Sequence, residues 1–434
     1  MSISLTTTVD TPVTEGTKKS VVMSIFTAHH SLLHYTARVP STQQTKSALV
    51  VVRLIGYDTS MLGAMLYVHA GKGHYIPAKA VTDAMERAGH QTCLLDMFDV
   101  LRAPFWQWFC KHEWRFMLHH PRIERFYHRL MDTHFIASVV RFLSVRLHIN
   151  RDFLAWYEQT KPDFILCTNF LGGSVIATIA KQAKLKVPVF VYAADVFNNP
   201  KAGYHHKIDR LFIPTELGVK NLLNQGYTSN QVRLSPFPLQ TSIQQMEHLS
   251  KSQARQSLGL EDRFTILLNL GGEGIGSTAL IKQLIKNKLA WQVFVVGNLS
   301  EHTKLRFQAL ARELPGMNIQ TPGFVSNIGL YMLACDVQAG KAGANALMES
   351  LSLGRPFMIN ELLHAARDTQ AFFDEYKVGW VIRRPKQQMI TLKNFAEDQQ
   401  AQRLMQERLA SLPLHFSSDL FVNLLLNEMQ ALAD

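Results

Sequence analysis

A chain of 434 residues, 47% of them hydrophobic and 18% charged, is too long for a single small module and has the apolar content to bury two ordinary cores. Its four cysteines, Cys93, Cys110, Cys167 and Cys335, include no CxxC pair, which argues against a zinc site or disulfide framework and fits a reducing compartment. The formal charge of +11 bears on partners rather than fold, and no apolar run is long enough to span a bilayer, residues 135–145 being broken by Arg141.

Residues 1–59 are rich in Ser and Thr, with Asp10 and Glu15 the only carboxylates before Asp58. They read as a variable arm, an organelle transit peptide being the alternative, and they lack the apolar core of a secretory signal. An apolar strand over Gly63–His69 then meets the turn Gly71-Lys72-Gly73-His74 and a helix over Pro77–Ala88. His74 is expected at the mouth of an N-terminal sheet, where an imidazole suits proton transfer near neutral pH, although glycine turns also carry ordinary loop histidines. Between Leu101 and Arg151 arginines alternate with aromatics, among them Trp106, Trp108, Arg115, Arg122 and Arg125. One reading is an interfacial anchor on an anionic membrane, each well-placed cation adding ~1 kcal/mol. The other is a set of helices with aromatics packed inward and arginines in water. No nucleic-acid motif accompanies these residues, and no nucleic-acid partner is expected.

Alternating strands and helices follow. Short buried strands at Asp163–Asn169, Val187–Ala193, Arg210–Pro214 and Val232–Ser235, with helices over Gly173–Lys184 and Leu217–Gln225, predict a parallel sheet in a domain spanning 60–240. The polar stretch 241–262 reads as a linker. A second run of strands, Phe264–Leu270, Trp291–Val296, Asn318–Thr321, Asp336–Ala339, Pro356–Asn360 and Val378–Ile382, predicts a second domain over 263–412. The last helix, within 413–434, is expected to pack back across the cleft. The fold class is therefore α/β, with two Rossmann-like doubly wound domains facing each other.

The second domain carries two glycine turns. LLNLGGEGIGS, Leu267–Ser277, resembles a dinucleotide fingerprint, but the next strand, WQVFVVG, ends without the acidic residue such a site needs. The turn instead suits a close approach of backbone to phosphate or sugar. CDVQAGKAGANALMES places Lys341, Gly343 and Asn345 at a helix start, with Asn345 the expected N-cap, so that free N–H groups would face an anion. Glu349, one turn in, is placed to accept hydrogen bonds from ribose hydroxyls.

Taken in order, GKGH, YAADV ending at Asp195, DRLFIPT, GGEGIG, GFV and CDVQAGKAG with Glu349 resemble the lipid-directed glycosyltransferases of the GT-B fold. The group is that of monogalactosyldiacylglycerol synthases and processive diacylglycerol glucosyltransferases, and more distantly the GlcNAc transferase of peptidoglycan synthesis. The resemblance, over about Gly63–Val381, implies inverting transfer of a hexose from a UDP-sugar to a lipid acceptor, diacylglycerol in this group, at an anionic membrane surface. It implies that Gly71, Gly73 and His74 face acceptor and donor phosphate, that Gly272, Glu273 and Gly274 approach the diphosphate, and that Gly323 and Phe324 border the uracil. Lys341, Gly343 and Asn345 would cradle phosphate, Glu349 would hold the ribose, and His74 or Asp195 would be the general base. No metal or other cofactor is expected, and a cytoplasmic, peripheral location follows.

The chain departs from that pattern. GKGH stands for GGGH, KAGANA for KAGPGT, and NNPKAGYHH for an HxxW after Asp195. The sugar-reading segment is Ala365-Ala366-Arg367, so Arg367 and Gln370 would have to supply its hydrogen bonds. A UDP-sugar epimerase of the same fold and a non-catalytic nucleotide- or membrane-binding relative therefore stand as alternatives.

Overall fold

The computed structural model describes residues 60–433 except 70, 145–148, 272–278, 313–315, 342 and 362–366. The arm 1–59 lies outside them. Two six-stranded parallel sheets dominate, both within one compact unit, Asp58–Asp434. The first comprises β1 (Leu62–Tyr67), β2 (Gln91–Asp96), β3 (Phe164–Cys167), β4 (Val189–Tyr192), β5 (Arg210–Ile213) and β6 (Val232–Leu234), in the order β2-β1-β3-β4-β5-β6. The second comprises β7 (Thr265–Asn269), β8 (Gln292–Val296), β9 (Asn318–Gly323), β10 (Val337–Lys341), β11 (Phe357–Glu361) and β12 (Gly379–Val381), in the order β12-β11-β10-β7-β8-β9. The α/β class with two doubly wound sheets is thus as expected. Strand β2 has no counterpart in the sequence reading, because this edge strand is mostly half-buried and lacks the continuous apolar run of the inner strands.

Helices follow the strands in both sheets. The first sheet carries α1 (Tyr75–Arg87), α2 (Met97–Val100), α3 (Pro104–His119), α4 (Pro121–Met131), α5 (His134–Ser144), α6 (Ile149–Thr160), α7 (Phe170–Gln182) and α8 (Glu216–Asn224). Between the sheets lie α9 (Thr241–Gln244) and α10 (Lys251–Ser257), the latter begun by a capping box of Ser250 and Gln253. The second sheet carries α11 (Ala279–Lys286), α12 (Glu301–Arg312), α13 (Ile328–Ala334), α14 (Ala344–Ser352) and α15 (Asp368–Tyr376), followed by α16 (Pro385–Glu397), α17 (Gln399–Ala410) and α18 (Ser418–Ala433).

Two features position the site. In each sheet the strand order reverses once, between β1 and β3 and between β7 and β10, so the ligand crevice of each half opens at those carboxyl ends. Helix α7 sits tightly on its sheet because a Cβ on Gly173 would lie 2.1 Å from Val191 Cγ2, and Asn169 caps it by accepting from the N–H groups of Leu171 and Gly172.

Helix α18 returns to the first sheet. Its Phe421 is fully buried, with ring centroids 5.5 Å from Tyr192 and 5.3 Å from Phe212. Its Glu428 bonds both Arg210 and Arg233, and although burial pushes that carboxyl up, the two guanidinium groups hold it below its ordinary value. Phe421→Ala should destabilise the protein by about 3–5 kcal/mol through the cavity it leaves. Urea unfolding followed by tryptophan fluorescence measures this, and a loss under 1 kcal/mol would show that α18 is not part of the core.

Candidate functional site

One cavity of ≈ 1230 Å³ joins the two switch points. From the first sheet its wall takes Gly71, Gly73, His74, Asn169 and Asp195, and from the second Asn269, Gly271, Phe324, Lys341, Gly343, Asn345 and Glu349. Gly71 has φ +73° and Gly271 φ +67°, the left-handed turns that carry the chain from strand end into the crevice.

Both nitrogens of the His74 ring are placed by hydrogen bonds. Nδ1 lies 2.7 Å from the carbonyl oxygen of Thr168, which can only accept, so Nδ1 carries the proton. Nε2 lies 3.2 Å from Nδ2 of Asn169. Because Oδ1 of Asn169 already caps α7, the amide must present its N–H to His74, and Nε2 is the acceptor. Thr168 further donates its hydroxyl to the His74 carbonyl at 2.8 Å. Burial pulls the imidazole below its ordinary 6.5, opposed by the nearby Asp195 charge and the Thr168 bond, so the ring is a neutral base at neutral pH.

Asp195 follows β4, and its carboxylate is accessible from the cavity although protein surrounds it. Enclosure raises its pKa, and the nearby His74 and His128 oppose the rise. The next residue, Val196, is fully buried with φ +53°, a left-handed conformation costing a β-branched residue ~1–3 kcal/mol. The Thr215 hydroxyl, which also caps α8, holds it by donating to the Val196 carbonyl at 2.6 Å.

Across the cavity the structure revises one expectation about α14. Its N-cap is Gly343, not Asn345, and no side chain caps it. The first-turn residues Ala344, Asn345 and Ala346, whose N–H groups are beyond reach of intrahelical carbonyls, line the cavity. Asn345 lies inside the helix because its amide is used across the cleft, Nδ2 donating to the Gly73 carbonyl at 3.1 Å. Lys341 ends β10 rather than lying in the turn. Glu349 is 4% exposed and accepts from Gln240; burial pushes its carboxyl up to about 7, with the Gln240 bond acting in the opposite direction.

Arg367 and Gln370 do not line the cavity. Arg367 pairs with Asp132 of the first half at 2.7 Å, and Gln370 bonds Asp374 one turn along α15, where Asp368 and Thr369 occupy the cavity wall instead. Each is taken up instead by a carboxylate that does not line the cavity. Gly272, Glu273 and Gly274, with Ala365 and Ala366, lie outside the described residues. Gly323 ends β9 with φ +77°, and the adjoining Phe324, 64% exposed, lies under the Lys72 ammonium, 4.1 Å from its ring centroid.

Sequence reasoning passed over Thr168, Asn169, Gln240 and Lys72. Asn169 had a signal, an N-cap residue between an apolar strand and an apolar helix. Gln240 had none, since its partner lies far along the chain. Helices α3 to α5 overturn the inward-packing alternative for the aromatics: Trp106 is 45% and Trp108 56% exposed, and Phe126 and Phe135 more so. Helix α4 turns Glu124, Tyr127, His128 and Met131 inward and Arg122, Arg125, Phe126 and Arg129 outward, the spacing of one helical face. The Arg115 side chain lies outside the described residues. Among the described residues no cluster of three or more His, Cys, Asp or Glu could hold a metal, and no helix is long and apolar enough to cross a membrane.

Two facing parallel sheets with the ligand crevice between their switch points define the GT-B fold. Solved structures share it: UDP-GlcNAc 2-epimerase from Neisseria meningitidis bound to UDP-GlcNAc (12% identity, TM-score 0.55, 85% of this chain and 99% of that one) and MurG of Acinetobacter baumannii (13%, 0.54, 85% and 99%). In sequence the chain is related to monogalactosyldiacylglycerol synthases: 24% identical over 318 residues to a probable chloroplastic enzyme of Oryza sativa subsp. indica, and 22% over 336 residues to a chloroplastic enzyme of Arabidopsis thaliana. These matches cover 69% and 74% of this chain; the chain spans 66% of the rice protein and 70% of the Arabidopsis one. No family model matches.

Between the ordinary carboxyl value of 4.5 and about 7, the folded protein keeps a proton on Glu349 that the unfolded chain releases. Stability from this position therefore falls as pH rises through that window. Glu349→Gln should remove the decline and be more stable than the parent at pH 8, by up to about 3 kcal/mol, but not at pH 4. Urea unfolding at both pH values checks this; parallel pH profiles would place the carboxyl in water.

Proposed function

We propose that this chain transfers a hexose from a UDP-sugar to a hydroxyl of a lipid of the diacylglycerol type, working as a peripheral protein on a membrane face. The observation that carries the reading is the single cavity that sets the neutral His74 and Asp195 opposite the open start of α14, Lys341 and the buried Glu349. Oδ1 of Asn345 supports it further: it is buried and no described protein group donates to it, so a ligand O–H or N–H would satisfy it. The relatives' printed names supply the acceptor class, and the exposed aromatic and basic face of α3 to α5 suits an anionic membrane.

In this reading Nε2 of His74 exchanges its long bond to Asn169 for the acceptor hydroxyl. As the acceptor oxygen forms its bond to the anomeric carbon, the carbon–phosphate oxygen bond breaks, the proton passes to Nε2, and Asp195 stabilises the imidazolium. The leaving diphosphate is met by the N–H groups of α14 and by Lys341, without need of a resident metal, and attack from the opposite lobe inverts the carbon. Glu349 accepts from the ribose hydroxyls once Gln240 yields. Phe324 borders the base.

Calorimetric titration with UDP, ADP serving as control, tests the cleft. Glu349→Ala should weaken UDP by roughly 1–3 kcal/mol, and unchanged affinity would remove the ribose assignment. His74→Ala should keep UDP affinity and lower turnover ~100-fold or more, and in the parent the acid limb of kcat/KM should fall below the ordinary imidazole value of 6.5. Full activity in that variant would move the base to Asp195. Turnover of UDP-sugar without any acceptor would favour epimerisation, and UDP binding with no turnover on any lipid would favour a binding protein.

A further inference from the structure

The cavity is larger than the ~300–1,000 Å³ of ordinary small-molecule sites, and its walls differ from end to end. At the switch points they are polar. Away from them the cavity runs under the helices inserted between β2 and β3, where Leu101, Ala103, Met117, Met131, Val140 and Val175 form an apolar arm. Its lining also includes Trp106, Phe109 and Leu143, which are 45%, 39% and 44% exposed and stand on the same helices as the exposed Phe105, Trp108 and Phe142. The arm therefore connects the aromatic, arginine-bearing surface of α3 to α5 with His74. Two of its polar groups are matched to each other: Glu113 and Tyr127 hydrogen-bond, and burial raises the Glu113 carboxyl toward its neutral form. That pair can thus face an apolar occupant without stranding a charge.

We propose that this arm holds one hydrocarbon chain of the acceptor lipid, drawn from the membrane between Trp106, Phe109 and Leu143 so that the headgroup hydroxyl arrives at His74. The inference rests on the lipid-acceptor reading and adds to it a chain-binding site. The continuity of arm and base argues for this occupant: a chain lying along the apolar residues of the arm leaves its polar end beside His74 and Asn169. Met117 and Met131, unbranched and adaptable, suit a flexible alkyl partner. The second chain stays in the bilayer, and the exposed arginines of α4 sit at headgroup level around the entrance.

Val140→Phe narrows the arm from α5, and Ala103→Leu does so from the segment before α3. With the UDP-sugar that the parent uses, each should lower the ratio of turnover on dioleoylglycerol to turnover on dihexanoylglycerol at least 10-fold, with UDP affinity unchanged as the check on folding. An unchanged ratio in both variants overturns the arm. In parallel, a diacylglycerol carrying a diazirine at the end of one acyl chain is photolysed with the parent in vesicles, and the labelled peptides are mapped. Label within residues 101–143 at the arm residues is expected. Label confined to the outer faces of α3 to α5 overturns the inference even if the lipid is glycosylated. Label in the arm with no glycosylation of any diacylglycerol keeps the chain site and sinks the acceptor reading instead.

Discussion

A parallel sheet wound outward in two directions leaves a crevice only where its strand order reverses, because elsewhere each crossover covers the strand ends beside it. This chain uses that constraint twice. β1 and β3 open one crevice and β7 and β10 the other, and His74, Asn169, Asp195, Asn269 and Lys341 sit at the ends of β1, β3, β4, β7 and β10 or on the turns leaving them, facing α14 with Asn345 and Glu349. The facing arrangement depends on elements that cross between halves. Phe421 and Glu428 tie the last helix to β4, β5 and β6, Phe197 meets Phe372 at 4.9 Å between centroids, and Asn345 reaches the Gly73 carbonyl.

Within that frame the site keeps its ionisable groups away from their ordinary states. His74 is fixed as one tautomer by a carbonyl on one side and an amide on the other, and the amide is itself fixed by its capping duty on α7. The same residue that starts a helix therefore decides which ring nitrogen can take a proton. Glu349 is buried against a neutral amide rather than a cation, which leaves its charge available for a ligand at a cost to the folded state. Val196 holds strained backbone directly after Asp195, and the Thr215 hydroxyl holds the strain in place while beginning α8.

The sequence shows the inner strands β3, β4 and β7 clearly, since they are covered on both faces and read as short apolar runs. It hides β2, whose residues are half-buried, and it misplaces the cap of α14, because Asn345 satisfies the local preference for an N-cap while its partner, Gly73, is distant in the chain. The turns at Gly71 and Gly271 and the place of Glu349 on α14 are legible because each depends on a local pattern of strand end, glycine and helix. The roles of Gln240, Thr168 and Asn169 depend on which strand ends meet, and neither periodicity nor composition carries that. Arg367 shows the same limit: along the chain it is an arginine near a sugar-reading segment and invites a ligand role, whereas its partner, Asp132, follows an inserted helix of the other half.

That ion pair also bears on the insertion between β2 and β3. A membrane-facing appendage could have been joined to the sheet by its two ends alone. Instead α4 packs Tyr127, His128 and Met131 into the cavity wall, and Asp132 just beyond it meets α15's first turn, while the opposite face of the same helix carries the exposed arginines. A helix rigid over three turns cannot tilt on its outer face without moving its inner one. Any displacement of α4 at Arg122, Arg125 and Phe126 would therefore also displace the cavity wall at Tyr127 and His128 and the Asp132–Arg367 pair between the halves.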